Sequence, residues 1–333
     1  MISIRFDEYG TPGSLYLAEV EATHPGPSQV RVAIEAAPIN PSDFMLVEGR
    51  YPFRPELPSP AGSEGVGRVI EVGPAVTSVK AGDRVLVLPS EQPGTWQEET
   101  VIDERFAVRV SGDTDPHQLA TVGINAATAH LVLRYGGDLP TGTWIAQTAA
   151  NSGLGSFIRA LARRKGLRIL DIVRRTDAAE ALRETGSDAV VVTDDDYTGN
   201  VAEVLGDERL ALVLDGVGGP VVSGLAPFLA REAGIVSFSA LSGQPVTIHP
   251  MHLNFKNLHV HGFWLNNWLD SAPREEIESL YRHIDGLISD GTLSTPIEAA
   301  YSFEQFADAI RHAQSTGRDG KIVFSTTGNG KAR

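Results

Sequence analysis

The sequence of 333 residues predicts a mixed α/β protein with a small β domain, a doubly wound α/β domain and a closing segment. About the first hundred residues contain short β patterns interrupted by glycine and proline, which is typical of a compact β domain. From about residue 120 onward, strand and helix patterns alternate, and such alternation predicts a parallel sheet covered by helices on both faces. We therefore expect domains at 1–122, 123–289 and 290–333.

Three apolar segments predict the β domain. Residues 29–36, QVRVAIEA, alternate apolar and polar side chains, as expected of a strand with one buried face. Residues 65–73, GVGRVIEVG, give a second strand, and residues 83–89, DRVLVLP, form a nearly continuous apolar run. Such a run is typical of a strand that is buried on both faces. Together the three segments predict a partly open β-barrel.

The α/β domain begins at residues 144–150, WIAQTAA, which form a strand that leads through the turn NSGLG into the helical segment FIRALARRKG. RILDIV is the next strand, and a short helix, AAEALRETG, follows it. Further strands are predicted in DAVVVT, LALVLDGVGG and AGIVSFSAL. A last helix, EQFADAIRHAQS, and a last strand, GKIVFST, resemble a return of the chain to the first domain.

Composition excludes several classes of function. The net charge of −14 disfavours nonspecific binding to nucleic acids and anionic membranes. The chain has no cysteine, which excludes disulfides, thiolate zinc sites, iron–sulfur clusters and cysteine nucleophiles. No apolar run approaches the length of a membrane span, and the N-terminus MISIRFDEYG lacks the layout of a signal peptide. We therefore expect a cytoplasmic protein.

The segment QTAANSGLGSFIRALARRKG is the strongest local signal for a cofactor. A strand ends, small residues form a tight turn, and a helix begins. Gly153 and Gly155 allow close approach of the backbone to a ligand, and the N-terminus of a helix favours a pyrophosphate. The pattern G-x-G-x-x-G is incomplete because Ile158 occupies the third glycine position. The turn could be a plain connector, but the surrounding strand–helix alternation favours dinucleotide binding.

The end of the next strand indicates which dinucleotide binds. NAD sites usually place an acidic residue there for the ribose 2′-hydroxyl. Here the strand ends in Arg174 and Arg175, and two guanidinium groups suit the 2′-phosphate of NADPH. Two alternatives remain: the arginines could be a solvated strand exit, and Asp171 could serve as the acid, although it lies within an apolar run. We favour NADPH.

A β domain, a nucleotide-binding domain and a C-terminal return resemble the medium-chain dehydrogenase/reductase superfamily, which implies a GroES-like barrel and a Rossmann domain. In its zinc alcohol dehydrogenases, the turn that matches GSEGVG carries a histidine zinc ligand; here that position is Ser63. The resemblance therefore implies a zinc-free branch. Within it, the chain is most similar to the 2-enoyl thioester reductases of mitochondrial fatty-acid synthesis. This similarity rests on INPSDFMLVEGRYPFRPELP, GTWQEETV, GINAATAH, AANSGLG, VRR, LDGVGG and above all GFWLNNW.

The resemblance implies that NADPH is oxidised while the conjugated C=C bond of a trans-2-enoyl thioester of coenzyme A or acyl carrier protein is reduced. Tyr51 matches the proton donor, and tyrosine, with an ordinary pKa of about 10, is protonated at neutral pH. The matching NADPH contacts are Asn125, Asn151, Ser152, Gly153, Leu154, Arg174, Arg175, Thr176, Phe238, Ser239, Ala240, Leu241, Phe263, Trp264, Leu265 and Lys321. The family commonly carries a longer N-terminal targeting extension, which we expect this chain to lack.

Alternatives remain at the level of function and of single residues. The chain could reduce quinones or other activated alkenes with NADPH, or bind NADPH without turnover. His259 and His261 share one face of a predicted strand, but without a third ligand a metal site is disfavoured. The cationic run Arg159, Arg163, Arg164 and Lys165 could attract the phosphates of coenzyme A or an acidic carrier protein. The family forms dimers through an edge strand, for which VHGFWLNNW is the candidate.

Overall fold

The structure, a computed structural model, describes residues 1–92 and 94–326. Its strands are β1 (Ile2–Phe6), β2 (Tyr16–Glu19), β3 (Gln29–Pro38), β4 (Ser59–Pro60), β5 (Gly65–Val72), β6 (Arg84–Val87), β7 (Glu99–Asp103), β8 (Ala107–Arg109), β9 (Trp144–Thr148), β10 (Arg168–Val173), β11 (Ala189–Val192), β12 (Leu210–Asp215), β13 (Leu229–Ser237), β14 (His259–Gly262), β15 (Ile297–Tyr301) and β16 (Lys321–Ser325). Its helices are α1 (Pro41–Val47), α2 (Pro116–Ala120), α3 (Asn125–Leu133), α4 (Gly153–Arg164), α5 (Thr176–Glu184), α6 (Tyr197–Leu205), α7 (Val221–Leu225), α8 (Pro250–Phe255), α9 (Leu265–Ser271), α10 (Arg274–Ser289) and α11 (Phe306–Gln314).

The described chain divides into two compact units. The first unit comprises Met1–Ala127 together with the described residues from Asn266 onward, and the second comprises Thr128–Leu265. The predicted boundary at 122/123 lies close to the first division. The predicted boundary at 289/290 lies well after the second division, because α9 from Asn266 onward and α10 group with the first unit. The domain limits taken from the sequence therefore stay predictions, and the compact units differ from them mainly in α10.

Three side chains explain why α9 and α10 group with the first unit. The Arg105 guanidinium donates hydrogen bonds to the carbonyl oxygens of Leu269, Asp270 and Ala272 at the end of α9. At the start of α10, Arg274 donates to the carbonyl oxygen of Ala107 at 2.8 Å. Deep in the unit, the buried Tyr281 hydroxyl donates to the carbonyl oxygen of Gly123 at 2.6 Å.

Strands of the first unit form two sheets within the described residues. One sheet has the order β15–β16–β3–β5–β6–β8, with β7 also paired to β3, and a smaller sheet has the order β2–β1–β4. The predicted strands β3, β5, β6 and β16 are confirmed. In β3 the alternation places Val30, Val32 and Ile34 in the core, against Trp96 and Phe324. Because β16 pairs antiparallel with β3 and parallel with β15, the last described strand lies inside this sheet.

The second unit is built on one parallel sheet in the order β11–β10–β9–β12–β13–β14. The chain starts in the middle at β9, winds outward to β11, and then crosses to β12 and the other half. This order confirms the predicted doubly wound Rossmann architecture, and the ends of β9 and β12 meet at the point where the winding changes direction. Ile145, Leu170, Leu212 and Ile235 are completely buried, as expected of strands covered on both faces.

At one edge of this sheet lies β14, whose four residues are all exposed. No helix in the described part of the chain is both long and apolar enough to span a membrane.

Candidate functional site

Tyr51 lies in a loop of the first unit that follows α1. The loop leaves the helix at Gly49, whose φ of 71° favours glycine. Hydrogen bonds then fasten it: the Tyr9 hydroxyl donates to the Pro55 carbonyl oxygen at 2.5 Å, and Arg54 donates to the Gly49 carbonyl oxygen at 2.9 Å. The Tyr51 ring is half-buried and packs edge-on against Phe53, with 5.3 Å between ring centroids. The proline-rich segment therefore holds Tyr51 in a well-anchored loop.

A buried polar cluster lies at the turn that follows this loop. Glu64 is completely buried, and one carboxylate oxygen accepts a hydrogen bond from the Asn40 side-chain amide at 2.7 Å. Asn40 in turn accepts a hydrogen bond from the Lys321 ammonium. The buried Asp43 carboxylate accepts from the Asn40 backbone N–H at 2.7 Å and from the Ser63 hydroxyl at 2.6 Å. We call these five residues the acid cluster; it places two carboxyl groups and one ammonium in a desolvated setting.

Burial dominates the electrostatics of the acid cluster. It raises the pKa of Glu64 to about 7 and the pKa of Asp43 to about 6, because a carboxylate is disfavoured away from water. The Lys321 ammonium lowers both values in part. Burial lowers the pKa of Lys321, and the neighbouring Glu64 and Asp43 charges partly restore it. The cation is thus shared by two acids whose pKa values burial raises toward neutral pH.

Asn125, the remaining predicted cofactor residue of the first unit, begins α3 and is half-buried. The second carboxylate oxygen of Glu64 accepts the backbone N–H of Ile124 at 2.7 Å, just before Asn125. The structure therefore connects Lys321 and the segment carrying Asn125 through the acid cluster. Sequence reasoning did not assign Asn40 or Asp43; the available signal was the helix-start pattern NPSD, with an acid three residues after the cap.

In the second unit, the predicted pyrophosphate turn joins β9 to α4. Ser152 caps the helix, its hydroxyl accepting the Gly155 N–H at 3.0 Å. Gly155 has no room for a side chain, because a Cβ there would lie 2.5 Å from the Ala150 carbonyl oxygen. Ala149 adopts φ 52°, a left-handed conformation that is uncommon for alanine and marks a tight turn. The turn thus presents the helix N-terminus beside the exposed Asn151.

Asp171, the alternative ribose acid, is completely buried inside the second unit. It accepts hydrogen bonds from the Arg159 Nε at 2.7 Å, from the Gln147 amide at 2.6 Å and from the Ser187 hydroxyl. Arg159 also donates to the Ala150 carbonyl oxygen at 2.8 Å, directly before the pyrophosphate turn. The structure therefore removes Asp171 as a ribose ligand. It also corrects the proposed surface cluster, because Arg159 is buried.

The strand end that follows β10 carries Arg174, Arg175 and Thr176, all of them exposed. Arg175 Nε lies 3.0 Å from the Asp177 carboxylate, in an ion pair exposed on both sides. An exposed pair of this kind contributes little and leaves the guanidinium open to a stronger anion. The arrangement fits a 2′-phosphate site.

Phe238, Ser239, Ala240 and Leu241 form the loop after β13, next to the loop after β12. Backbone hydrogen bonds join the two loops, from Phe238 N–H to the Asp215 carbonyl oxygen at 3.0 Å and from Leu241 N–H to the Gly216 carbonyl oxygen at 3.2 Å. Ser239, Ala240 and Leu241 are exposed, whereas Phe238 is half-buried. The buried Asp215 organises this edge, since its carboxylate accepts Thr148 Oγ1 at 2.7 Å; sequence reasoning did not assign it.

Phe263, Trp264 and Leu265 follow the edge strand β14. Phe263 N–H donates to the Ser237 carbonyl oxygen at 2.8 Å, so this segment lies beside the start of the Phe238 loop. Phe263 and Trp264 are half-buried and Leu265 is buried. In the second unit, the structure thus brings the segments 238–241 and 263–265 together through β13.

A catalytic zinc does not fit the residues present. Ser63 donates its hydroxyl to Asp43 at the position that the resemblance to zinc alcohol dehydrogenases matches to a histidine ligand, and the chain has no cysteine. Within residues 1–92 and 94–326, no group of three or more metal-ligating side chains comes together. NADPH does fit, because a capped helix N-terminus and a strand end that carries two exposed arginines occur in one unit.

Comparison with known proteins gives two family matches. Residues 26–112 match the alcohol dehydrogenase GroES-like domain, and residues 153–285 match the family described as zinc-binding dehydrogenase. The mitochondrial enoyl-[acyl-carrier-protein] reductase of Xenopus tropicalis is 34% identical, over 93% of this chain and 91% of that protein. The enzyme of the same name from Dictyostelium discoideum is 31% identical, over 97% and 94%.

Solved structures give a matching result. A quinone oxidoreductase from Pseudomonas syringae pv. tomato superposes with a TM-score of 0.86 at 25% sequence identity, covering 97% of this chain and 99% of that chain. The likeness extends over both compact units.

Proposed function

We propose a function from one premise: this chain belongs to the medium-chain dehydrogenase/reductase superfamily, in the branch of the enoyl reductases and quinone oxidoreductases. It is an oxidoreductase of this branch. We propose that it reduces the conjugated C=C bond of trans-2-enoyl thioesters, carried on coenzyme A or acyl carrier protein, with NADPH. The observation that carries this proposal is the 34% identity to an enoyl-[acyl-carrier-protein] reductase over nearly the whole chain.

Tyr51 supplies the proton in the proposed reaction. When bound, NADPH would supply a hydride for the β-carbon of the substrate, and negative charge would spread to the thioester oxygen. Tyr51 donates its phenolic proton to the α-carbon, which completes the saturated product, and the phenolate regains a proton from water. The loop fastened by Tyr9 and Arg54 supports this role, since a proton donor acts efficiently only in a fixed position.

The second unit provides the proposed groups for the dinucleotide. The N-terminus of α4 at Ser152, Gly153 and Leu154 favours the pyrophosphate. Arg174 and Arg175 suit the 2′-phosphate, and this assignment makes NADPH the preferred cofactor. From the family likeness we propose the following further contacts with NADPH: Asn125, Asn151, Thr176, Phe238, Ser239, Ala240, Leu241, Phe263, Trp264, Leu265 and Lys321.

Reduction of a quinone with NADPH is the second candidate. It is favoured by the likeness to the Pseudomonas syringae quinone oxidoreductase, whose identity of 25% lies below the 34% of the enoyl reductase match. We also propose a homodimer formed through β14, whose exposed edge position leaves its outer backbone groups unpaired within the second unit. The compartment we propose is the cytoplasm, although the two enoyl reductases that this chain resembles are mitochondrial by name.

One experiment separates the candidates. NADPH oxidation is followed with crotonyl-CoA and with a simple quinone, for the wild type, Tyr51→Phe and the control Tyr301→Phe. Tyr301 is also half-buried in the first unit, but its hydroxyl lies 2.9 Å from His312 Nδ1. We expect crotonyl-CoA turnover to fall about 100-fold or more in Tyr51→Phe alone, the usual range for a general acid.

Three results would contradict parts of the proposal. Equal thioester turnover by Tyr51→Phe and the wild type would remove Tyr51 as proton donor. Turnover of the quinone alone would favour the second candidate. Binding of NADPH without oxidation by either acceptor would indicate a non-catalytic protein.

A further inference from the structure

The two cofactor residues proposed in the first unit come from distant parts of the chain. Asn125 begins α3, and Lys321 begins the C-terminal strand β16. Their positions are coupled through Glu64, a residue that the proposed reaction does not use. One carboxylate oxygen of Glu64 accepts the Asn40 amide, which holds Lys321, and the other accepts the Ile124 N–H. The four hydrogen-bonding groups therefore form one continuous path.

The site is built for a carboxylate. An ionised carboxylate is an acceptor at both oxygens and meets both donors, whereas a glutamine has one acceptor oxygen and would turn an NH₂ group toward one of them. Gly123 also leaves the acid little space, because a Cβ at that position would lie 2.9 Å from Glu64 Oε2. On the far side of Gly123, its carbonyl oxygen is held by the buried Tyr281 hydroxyl. The geometry around Glu64 is thus constrained on both sides.

We propose that Glu64 is a positioning residue for the cofactor, which holds the Lys321 ammonium through Asn40 and the start of α3 through Ile124. The inference rests on the proposed function of Lys321 and Asn125 as NADPH contacts. In this role Glu64 needs no metal. It fixes the distance between Lys321 and Asn125, which come from separate segments of the chain.

The first test measures NADPH affinity directly, by fluorescence titration without substrate. The variants are Glu64→Gln, Lys321→Met, Asn125→Ala and the two pairwise combinations with Glu64→Gln. The control is Asp285→Asn, which also weakens an acid-to-amide hydrogen bond within the first unit, at 2.8 Å to Ser111 N–H; this bond involves neither Lys321 nor Asn125. Thermal melting of every variant reports folding.

We expect Glu64→Gln to raise the Kd for NADPH about tenfold, the effect of roughly one hydrogen bond. Each double variant should lose less than the product of its single effects, because Glu64 acts through the second residue. The Asp285→Asn control should melt earlier and keep its NADPH affinity. An unchanged Kd in Glu64→Gln, or multiplicative effects in both double variants, would overturn the proposal.

The second test is the pH profile of NADPH affinity. The charges that face Lys321 are Glu64 and Asp43, which raise its pKa, and Arg318, which lowers it. Removal of the Glu64 charge should therefore lower the pKa of Lys321, and the loss of NADPH affinity with rising pH should begin at a lower pH. A purely structural defect would weaken binding equally at every pH, so parallel profiles would count against a positioning role.

These readouts are independent of the reaction. If the wild type binds NADPH but reduces neither crotonyl-CoA nor the quinone, the proposed function fails, while the Kd comparison still decides the role of Glu64. If it reduces crotonyl-CoA and the Kd is insensitive to Glu64→Gln, the positioning role alone fails.

Discussion

Both units contain buried charged groups next to predicted cofactor residues, but the ratio of acids to cations differs between the two units. In the second unit, one cation meets one acid: Arg159 pairs directly with Asp171 at 2.7 Å. In the first unit, two acids, Asp43 and Glu64, share one lysine, and Asn40 lies between Glu64 and Lys321. The balanced pair contributes a fixed support for a backbone turn. The unbalanced cluster retains groups whose protonation changes near neutral pH.

The largest expected effect breaks the balanced pair. Arg159→Met leaves the Asp171 carboxylate buried without its cation, and we expect the free energy of unfolding to fall by about 3–5 kcal/mol. The measurement is urea denaturation. The matched control is Arg159→Met with Asp171→Asn, which removes both charges, keeps an acceptor for Gln147 and Ser187, and should therefore recover part of the stability. If the single and double variants lose the same stability, packing rather than charge balance is responsible.

The acid cluster should instead show its charge imbalance as a pH dependence. A carboxyl whose pKa is higher in the folded than in the unfolded chain binds more protons when folded, so stability falls as pH rises between the two values. Burial raises the pKa of Glu64 from 4.5 to about 7. This shift corresponds to roughly 3 kcal/mol, lost between about pH 4 and pH 7.

Glu64→Gln isolates this contribution. We measure the free energy of unfolding of the wild type and of Glu64→Gln by urea denaturation at pH 5 and pH 8. Relative to Glu64→Gln, the wild type should be less stable at pH 8 than at pH 5. A difference that is the same at both pH values would show that Glu64 has no unusual pKa in the folded chain.

Arg174 and Arg175 of the second unit give a third contrast, because both side chains are exposed, whereas the Lys321 ammonium of the first unit is hydrogen-bonded to Asn40. Replacing both Arg174 and Arg175 by alanine should reduce the preference for NADPH over NADH about 10- to 100-fold, as expected for lost charge-assisted hydrogen bonds. The ratio of kcat/KM for the two cofactors is the measurement. Arg209→Ala, another exposed arginine of the second unit, serves as the control. Unchanged selectivity in the double variant would contradict a 2′-phosphate site.

The two networks also mark the limit of prediction from sequence. Alternating apolar residues are sufficient to predict β3, and a continuous apolar run predicts β6, because these patterns follow from local periodicity. Burial of Arg159 cannot be read locally, since FIRALARRKG shows four cations in one helical segment. Only the packing of α4 on β10 distinguishes Arg159, which meets Asp171, from Arg163 and Arg164 at the helix end.

The acid cluster is harder still to predict. Lys321 and Asn40 are separated by 281 positions, and their contact depends on β16 joining the sheet beside β3. Tyr51 and the cofactor segments could be proposed because family resemblance supplies residue roles that periodicity does not. Asn40 and Asp43 carry no such label, because their hydrogen bonds to Glu64, Lys321 and Ser63 exist only in the folded chain.

The smallest expected effect compares one helix cap from each unit. Ser152 caps α4, its hydroxyl accepting the Gly155 N–H, and Asp115 caps α2, its carboxylate accepting the His117 N–H at 2.9 Å. Replacing either residue by alanine should lower the free energy of unfolding by about 1 kcal/mol, because one N–H group at the helix start loses its acceptor. Only Ser152→Ala should also weaken NADPH binding, since the α4 N-terminus is the proposed pyrophosphate site. NADPH affinity is measured by fluorescence titration. Equal affinity of the two variants would mean that Ser152 only stabilises the helix, and it would contradict pyrophosphate binding at the N-terminus of α4.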